Sequence, residues 1–224
     1  MPGVADDEHT WWTREVFLMG MGLLSYWYRF CYSLWSPFYD ILVRGFVGWR
    51  RRSLELADLQ AGERVLIVGA GTGSDLQFID PGPKITAIDV TKAMLRRLRR
   101  RARRRGLTVD AQVMDGQAMD FADGSFDVVI LHLILAVIPD PIRCARESAR
   151  VLRPGGRIVI MDKFVADDGR PPLLLRVVNP LLKLLGTNVN RKLGPILEGT
   201  ALRIVRQEPA GLGGFFKIVL LRKD

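Results

Sequence analysis

Val65-Leu66-Ile67-Val68 runs straight into Gly69-Ala70-Gly71-Thr72-Gly73, and sixteen residues after Gly73 comes Asp89, which closes a second apolar run, Ile85-Thr86-Ala87-Ile88. Glycines let a chain turn sharply and let a ligand approach where a Cβ would collide. A carboxylate at the end of the next strand can accept hydrogen bonds from the two hydroxyls of a ribose. Types and spacing together point to a nucleoside-containing ligand at the carboxyl end of a parallel sheet.

Dinucleotide enzymes place a third glycine after G-x-G and seat a pyrophosphate on the helix N-terminus that follows. Here Ser74 and Asp75 occupy the places of that glycine and its neighbour. Asp75 would put negative charge beside a phosphate. S-adenosylmethionine, with an adenosine, an amino-acid tail and a sulfonium but no phosphate, fits this turn better.

The elements that must position these residues follow from periodicity and breakers. Helices are expected over about 12–34 and 37–58, and strands over 64–68, 84–88, 107–113, 126–132 and 157–162. A helix is expected after Gly73, another over the arginine-rich residues 92–105, another from Pro139–Pro141 to about Leu152, and one over 172–185. Two closing strands, about 201–207 and 215–221, flank the glycine-rich Gly211–Gly214. Alternation of strand and helix means a parallel sheet covered on both faces. The chain divides into a helical segment over 1–58 and one α/β domain over 59–224, a size that one core can serve.

Charge is unevenly placed. Net charge is +9, and Lys92 with Arg96, Arg97, Arg99, Arg100, Arg101, Arg103, Arg104 and Arg105 supplies as much, so the remainder is close to neutral. A solvated helix face is one reading of this run. An anionic membrane surface is another, since each basic residue near such a surface gains about 1 kcal/mol. Nucleic acid is disfavoured, because no aromatic residue is interleaved to stack on bases. All five Trp lie between Trp11 and Trp49, within a segment rich in Phe, Tyr, Leu and Met. Its longest uncharged run near the start, Val16–Tyr28, falls short of the ~20 residues that a span requires. The segment reads as an interfacial helix, as a lid packed over the site, or as both. No signal peptide is expected from its acidic start, and the 2 Cys and 2 His (His9, His132) make neither a disulfide framework nor a metal site. A cytoplasmic protein, peripheral on the inner face of a membrane, is the expectation.

Four blocks carry a resemblance in the right order: Val65–Gly73; Ile85–Asp89; Met114-Asp115-Gly116 with Gly124–His132; and Arg150–Asp162, which contains Pro154-Gly155-Gly156. Over roughly residues 36–222 the chain resembles the class I S-adenosylmethionine-dependent methyltransferases. Within that class, Pro139-Asp140-Pro141 and Trp35-Ser36-Pro37-Phe38-Tyr39-Asp40 look like the branch acting on quinones and phospholipids, bacterial phosphatidylethanolamine N-methyltransferases in particular. The resemblance implies a Rossmann-like doubly wound seven-stranded sheet of order 3-2-1-4-5-7-6, its last strand antiparallel. It implies cofactor contacts from Gly69, Ala70, Gly71 and Gly73 to the tail and ribose, from Asp89 to the ribose diol, and from Val90, Asp115 and Gly116 to the adenine. Leu131 and His132 would lie beside the methionyl group.

On the acceptor side, His132 is a candidate base or a packed strand-end histidine. Tyr39 resembles part of a pair closing over the cofactor, and Asp162 could orient an ammonium headgroup. One position departs from the family: Ile67 stands where an acidic residue usually organises the glycine turn, and Asp75 is the expected substitute. Three functions stay open: N-methylation of a lipid headgroup amine, C- or O-methylation of a quinone or other small hydrophobic acceptor, and a cofactor-binding module without catalysis.

Overall fold

The computed structural model describes residues 43–165, 190–211 and 215–224. The expected helices over 12–34 and 172–185, and Tyr39, lie outside these residues. Seven strands form one sheet: β1 (Arg64–Val68), β2 (Lys84–Asp89), β3 (Val109–Val113), β4 (Phe126–His132), β5 (Leu152–Lys163), β6 (Leu202–Ala210) and β7 (Phe216–Lys223). Their order is β3-β2-β1-β4-β5-β7-β6. Strands β1 to β5 pair in parallel, and β7 runs antiparallel to both β5 and β6, as expected.

The central strands read as continuous apolar runs because both faces of the sheet are covered. Alternate residues part to opposite sides. Val65 and Ile67 of β1 meet Leu54 and Ala57 of α1 (Val47–Ala57) and Leu95 and Leu98 of α2 (Lys92–Arg104). Leu66 and Val68 join Val129 and Leu131 against Cys144 and Ala145 of α3 (Pro141–Val151), with Leu193 and Ile196 of the short α4 (Leu193–Leu197) alongside. Each large apolar side chain buried in this way contributes about 1.5–3 kcal/mol before entropy is counted. Helix α3 starts where its sequence says: Pro141 takes the first turn, and the Asp140 carboxylate accepts from Arg143 N at 2.9 Å.

Helix α1 is the described end of the expected N-terminal segment, after a 3-10 turn at Val43–Phe46. It lies on β5 and β7, tied down by Arg157, which donates to the carbonyls of Ala57 and Asp58 and to both oxygens of Glu63. Trp49 stacks on Phe216 at 5.5 Å between ring centroids and covers Gly211, where a Cβ would stand 1.9 Å from the indole. This tryptophan packs on the protein.

Two elements differ from expectation. The helix after Gly73 is only a five-residue 3-10 turn, Ser74–Phe78. Strand β5 begins at Leu152 rather than 157: Pro154-Gly155-Gly156 forms an irregularity inside the strand, with Gly155 at φ +71° and a register shift opposite Phe126 and Val128. Among the described residues no helix is long and apolar enough to cross a membrane.

Candidate active site

Strand β1 ends where its hydrogen bonding passes into the turn. Ala70 N donates to the Ile88 carbonyl at 3.0 Å and Gly73 N to the Ala70 carbonyl at 2.9 Å. Gly69, Gly71 and Gly73 all have positive φ, at +64°, +54° and +77°, a region that side-chain-bearing residues avoid. A Cβ at Gly69 would also come within 2.5 Å of Ile134 Cδ1, and one at Gly73 within 2.9 Å of Leu98.

Asp89 organises this turn. Its Oδ2 accepts from Gly71 N at 2.9 Å and its Oδ1 from Thr91 N at 2.8 Å. Burial pushes its pKa up, against the pull of these two backbone donors. A carboxylate offers about four lone-pair sites, so acceptor capacity remains for a ribose diol. Asp89 thus supplies the glycine turn with a carboxylate that Ile67 cannot. Ile67 is 1% exposed within the core facing α1 and α2.

Asp75 is instead buried in a polar cluster. Its Oδ1 accepts from Arg50 Nη1 at 2.5 Å and from His132 Nδ1 at 2.7 Å, and His132 Nε2 lies 2.8 Å from Ser53 Oγ. All four residues are at most 4% exposed. Burial alone would raise the Asp75 pKa, but the charges of Arg50 and His132 and their hydrogen bonds hold it well below the usual carboxylate range. An ionised carboxylate can only accept, so Nδ1 carries a proton and Nε2 faces the serine hydroxyl. The base expected in His132 therefore has no free ring nitrogen; burial beside Asp75 and Ser53 has taken both.

Asp162, expected to orient an ammonium headgroup, is the other buried acid among the described residues. It is fully buried, its Oδ2 accepting from Ala136 N at 3.0 Å and its Oδ1 from Lys163 N at 2.8 Å. Burial pushes its pKa up. It holds the segment after β4 against β5 and does not present a carboxylate to an acceptor. That segment starts under strain, since Leu133 has φ +57° while its N–H donates to the Met161 carbonyl at 2.8 Å.

The remaining expected contacts surround the same strand ends. Val90 is half-buried next to Asp89. Asp115 follows β3 and accepts from Gln117 N at 2.9 Å and from Gln117 Nε2 at 3.0 Å on each oxygen. Gly116 is buried, and a Cβ there would stand 2.7 Å from Val68 Cγ1, so close packing of this loop on β1 already requires glycine. Leu131 is 1% exposed and pairs in register with Val68 and Ile160, so its side chain belongs to the core.

Sequence reasoning missed Arg50 and Ser53. Their signal was weak: the first of three consecutive arginines and a Ser on the inward face of a helix, at i and i+3, whose partners lie 25 and 79 residues away. It also missed that Arg101 of the basic helix turns inward, donating to Ser74 Oγ at 3.0 Å.

These residues fit S-adenosylmethionine. A pyrophosphate needs an open helix N-terminus, and only a 3-10 turn follows Gly73, with ionised Asp75 in its first turn. The half-buried carboxylates of Asp89 and Asp115 suit ribose hydroxyls and an amine instead.

Comparison with known proteins agrees. Residues 66–160 match the family model described as a methyltransferase domain. A phosphatidylethanolamine N-methyltransferase of Cereibacter sphaeroides is 31% identical over 78% of this chain and 86% of its own length. A demethylmenaquinone methyltransferase of Thermus thermophilus is 34% identical over 71% and 76%. Among solved structures, geranyl diphosphate methyltransferase in complex with S-adenosylmethionine superimposes with a TM-score of 0.64 at 18% identity, covering 77% of this chain and 83% of that one. With the sheet order, the glycine turn and the Asp89 clasp in place, the chain belongs to the S-adenosylmethionine-dependent methyltransferases and is an enzyme of that family.

Proposed function

We propose that the acceptor is the amine headgroup of a membrane phospholipid of the phosphatidylethanolamine type. The observation that carries this reading is the likeness to the Cereibacter sphaeroides enzyme across most of both chains. S-adenosylmethionine supplies a methyl group on a sulfonium, which an acceptor lone pair takes in line with the departing sulfur. The glycine turn and Asp89 hold the donor, and Asp115 with Val90 borders the adenine. Orientation is then the main contribution of the protein.

An ammonium headgroup can lose its proton to water before it attacks with the freed lone pair, whereas a hydroquinone carbon or oxygen must lose a proton within the site as it reacts. The occupied nitrogens of His132 favour the amine. A membrane partner is further supported by α2. Lys92, Arg96, Arg100 and Arg104 are exposed at spacings of four residues, with Arg103 exposed beside Arg104 and no carboxylate partner for any of them among the described residues. We read this stripe as the contact with an anionic bilayer, and Tyr39 as a residue that closes over the cofactor.

The quinone reading has its own support in the Thermus thermophilus relative. A methyl-transfer assay separates the two. Purified enzyme receives labelled S-adenosylmethionine and vesicles of phosphatidylethanolamine with phosphatidylglycerol, then demethylmenaquinone in their place. Label in methylated phosphatidylethanolamine is the expected result; label only in the quinone overturns it.

A further inference from the structure

Nine polar or charged residues are buried among the described ones, and four of them, Arg50, Ser53, Asp75 and His132, form a single chain of contacts. Arg50 and Ser53 stand on α1, Asp75 on the turn just beyond Gly73, and His132 on the last residue of β4. A cluster of this kind is a poor way to gain stability alone, since apolar groups of the same volume often serve as well. Its location suggests another use. Every member touches an element that frames the donor cleft or the helix that leads in from the N-terminal residues.

We propose that Arg50, Ser53, Asp75 and His132 are positioning residues that lock the glycine turn and the end of β4 to α1, so that the docking of α1 sets the geometry of the methyl-donor cleft. Three further observations bear on it. The residue after His132 is Leu133, held at φ +57°, a strained conformation that needs fixed neighbours. The following loop is held from the other side by the Asp162 carboxylate on Ala136 N, and it carries Ile134, which lies over Gly69. The turn itself is gripped a second time, by Arg101 on Ser74. The β4 end and the turn after Gly73 are thus tied to each other by Asp75 and His132, and both are tied to α1 by Arg50 and Ser53. None of this depends on which acceptor is used; it rests on the donor chemistry alone.

The test is calorimetric titration of S-adenosylmethionine into the full chain, with kcat and KM for the donor measured beside it. His132→Leu removes both contacts of the ring. His132→Asn places an amide near the Nδ1 position and keeps the contact to Asp75 while losing the one to Ser53. Ser53→Ala removes only the hydroxyl. We expect donor affinity about tenfold weaker or more in His132→Leu, a severalfold loss in Ser53→Ala, and recovery of most of the affinity in His132→Asn, as the loss of one or two buried hydrogen bonds implies. Val219→Ala, which opens a cavity on the opposite face of the sheet, serves as a control of matched thermal stability.

Wild-type donor affinity and kinetics in a folded His132→Leu would overturn the proposal, as would an equal loss in Val219→Ala. A collapse of kcat in both His132 variants with donor affinity unchanged would overturn it too, and would return His132 to the role of base. If His132→Leu does not fold, Ser53→Ala decides, and unchanged affinity there counts against the proposal.

Discussion

At the carboxyl end of β2 a carboxylate binds backbone and stays half-exposed; at the ends of β4 and β5, and on the turn after Gly73, polar groups bind one another or a loop and are buried. Asp89 spends one site of each oxygen on Gly71 N and Thr91 N. Asp75 and His132 are consumed by Arg50, Ser53 and each other, and Asp162 by the chain that follows β4. The first end is arranged to receive a ligand, and the second fixes the frame in which the ligand is received. Histidine and aspartate at strand ends look alike in a sequence, and what separates the two ends is whether a partner from elsewhere in the chain has already claimed them.

The sharpest way to break this contrast is Arg50→Met. It strips the cation from a buried, ionised Asp75, and removal of one partner from such a pair costs about 3–5 kcal/mol. Urea denaturation measures the loss, and Arg50→Met combined with Asp75→Leu should regain much of it. Next comes Gly116→Ala, whose Cβ must displace Val68 Cγ1 from 2.7 Å. Overpacking of this order costs about 1–3 kcal/mol, and thermal unfolding will show it whether or not donor is bound.

A pH series sharpens the contrast further. The folded pKa of Asp75 is depressed, so its stabilising contribution is complete above the unfolded value of about 3.9 and is lost as pH falls through the lower folded value. Asp89 and Asp162 have raised folded values, so each costs stability at neutral pH and the cost is relieved on acidification. Asp75→Asn should therefore lower stability at pH 7 and flatten the acid loss below about pH 4. Asp162→Asn should remove the opposing relief and leave that loss steeper. Denaturation midpoints from pH 7 to pH 2.5 check both signs.

The smallest effect on stability is expected on α2. Arg100→Gln, at an exposed position, should change unfolding by less than about 0.5 kcal/mol. It should nevertheless weaken sedimentation with phosphatidylglycerol vesicles about fivefold, the equivalent of about 1 kcal/mol.

Much of the fold was legible in the sequence. The apolar runs Val65–Val68 and Val128–Leu131 could only be strands buried on both faces, and Gly69, Gly71 and Gly73 occupy backbone conformations that a motif of glycines announces. Asp89 was legible as a strand-end carboxylate beside the glycine turn, but its clasp on Gly71 N was not read from the sequence. Arg50, Ser53 and the true partners of Asp75, His132 and Asp162 were not legible, since those contacts join residues far apart in sequence. The 3-10 turn after Gly73 was mistaken for a helix because Ser74–Phe78 lacks a breaker and shows no period over so short a stretch.

The most direct test is calorimetric titration of S-adenosylmethionine into the wild type, Asp89→Ala and Asp162→Asn. The account predicts binding by the wild type, a loss of about a hundredfold or more in Asp89→Ala, as for a charged acceptor of two or more hydrogen bonds, and near wild-type affinity in Asp162→Asn. Equal losses in both variants, or unchanged affinity in Asp89→Ala, would contradict it.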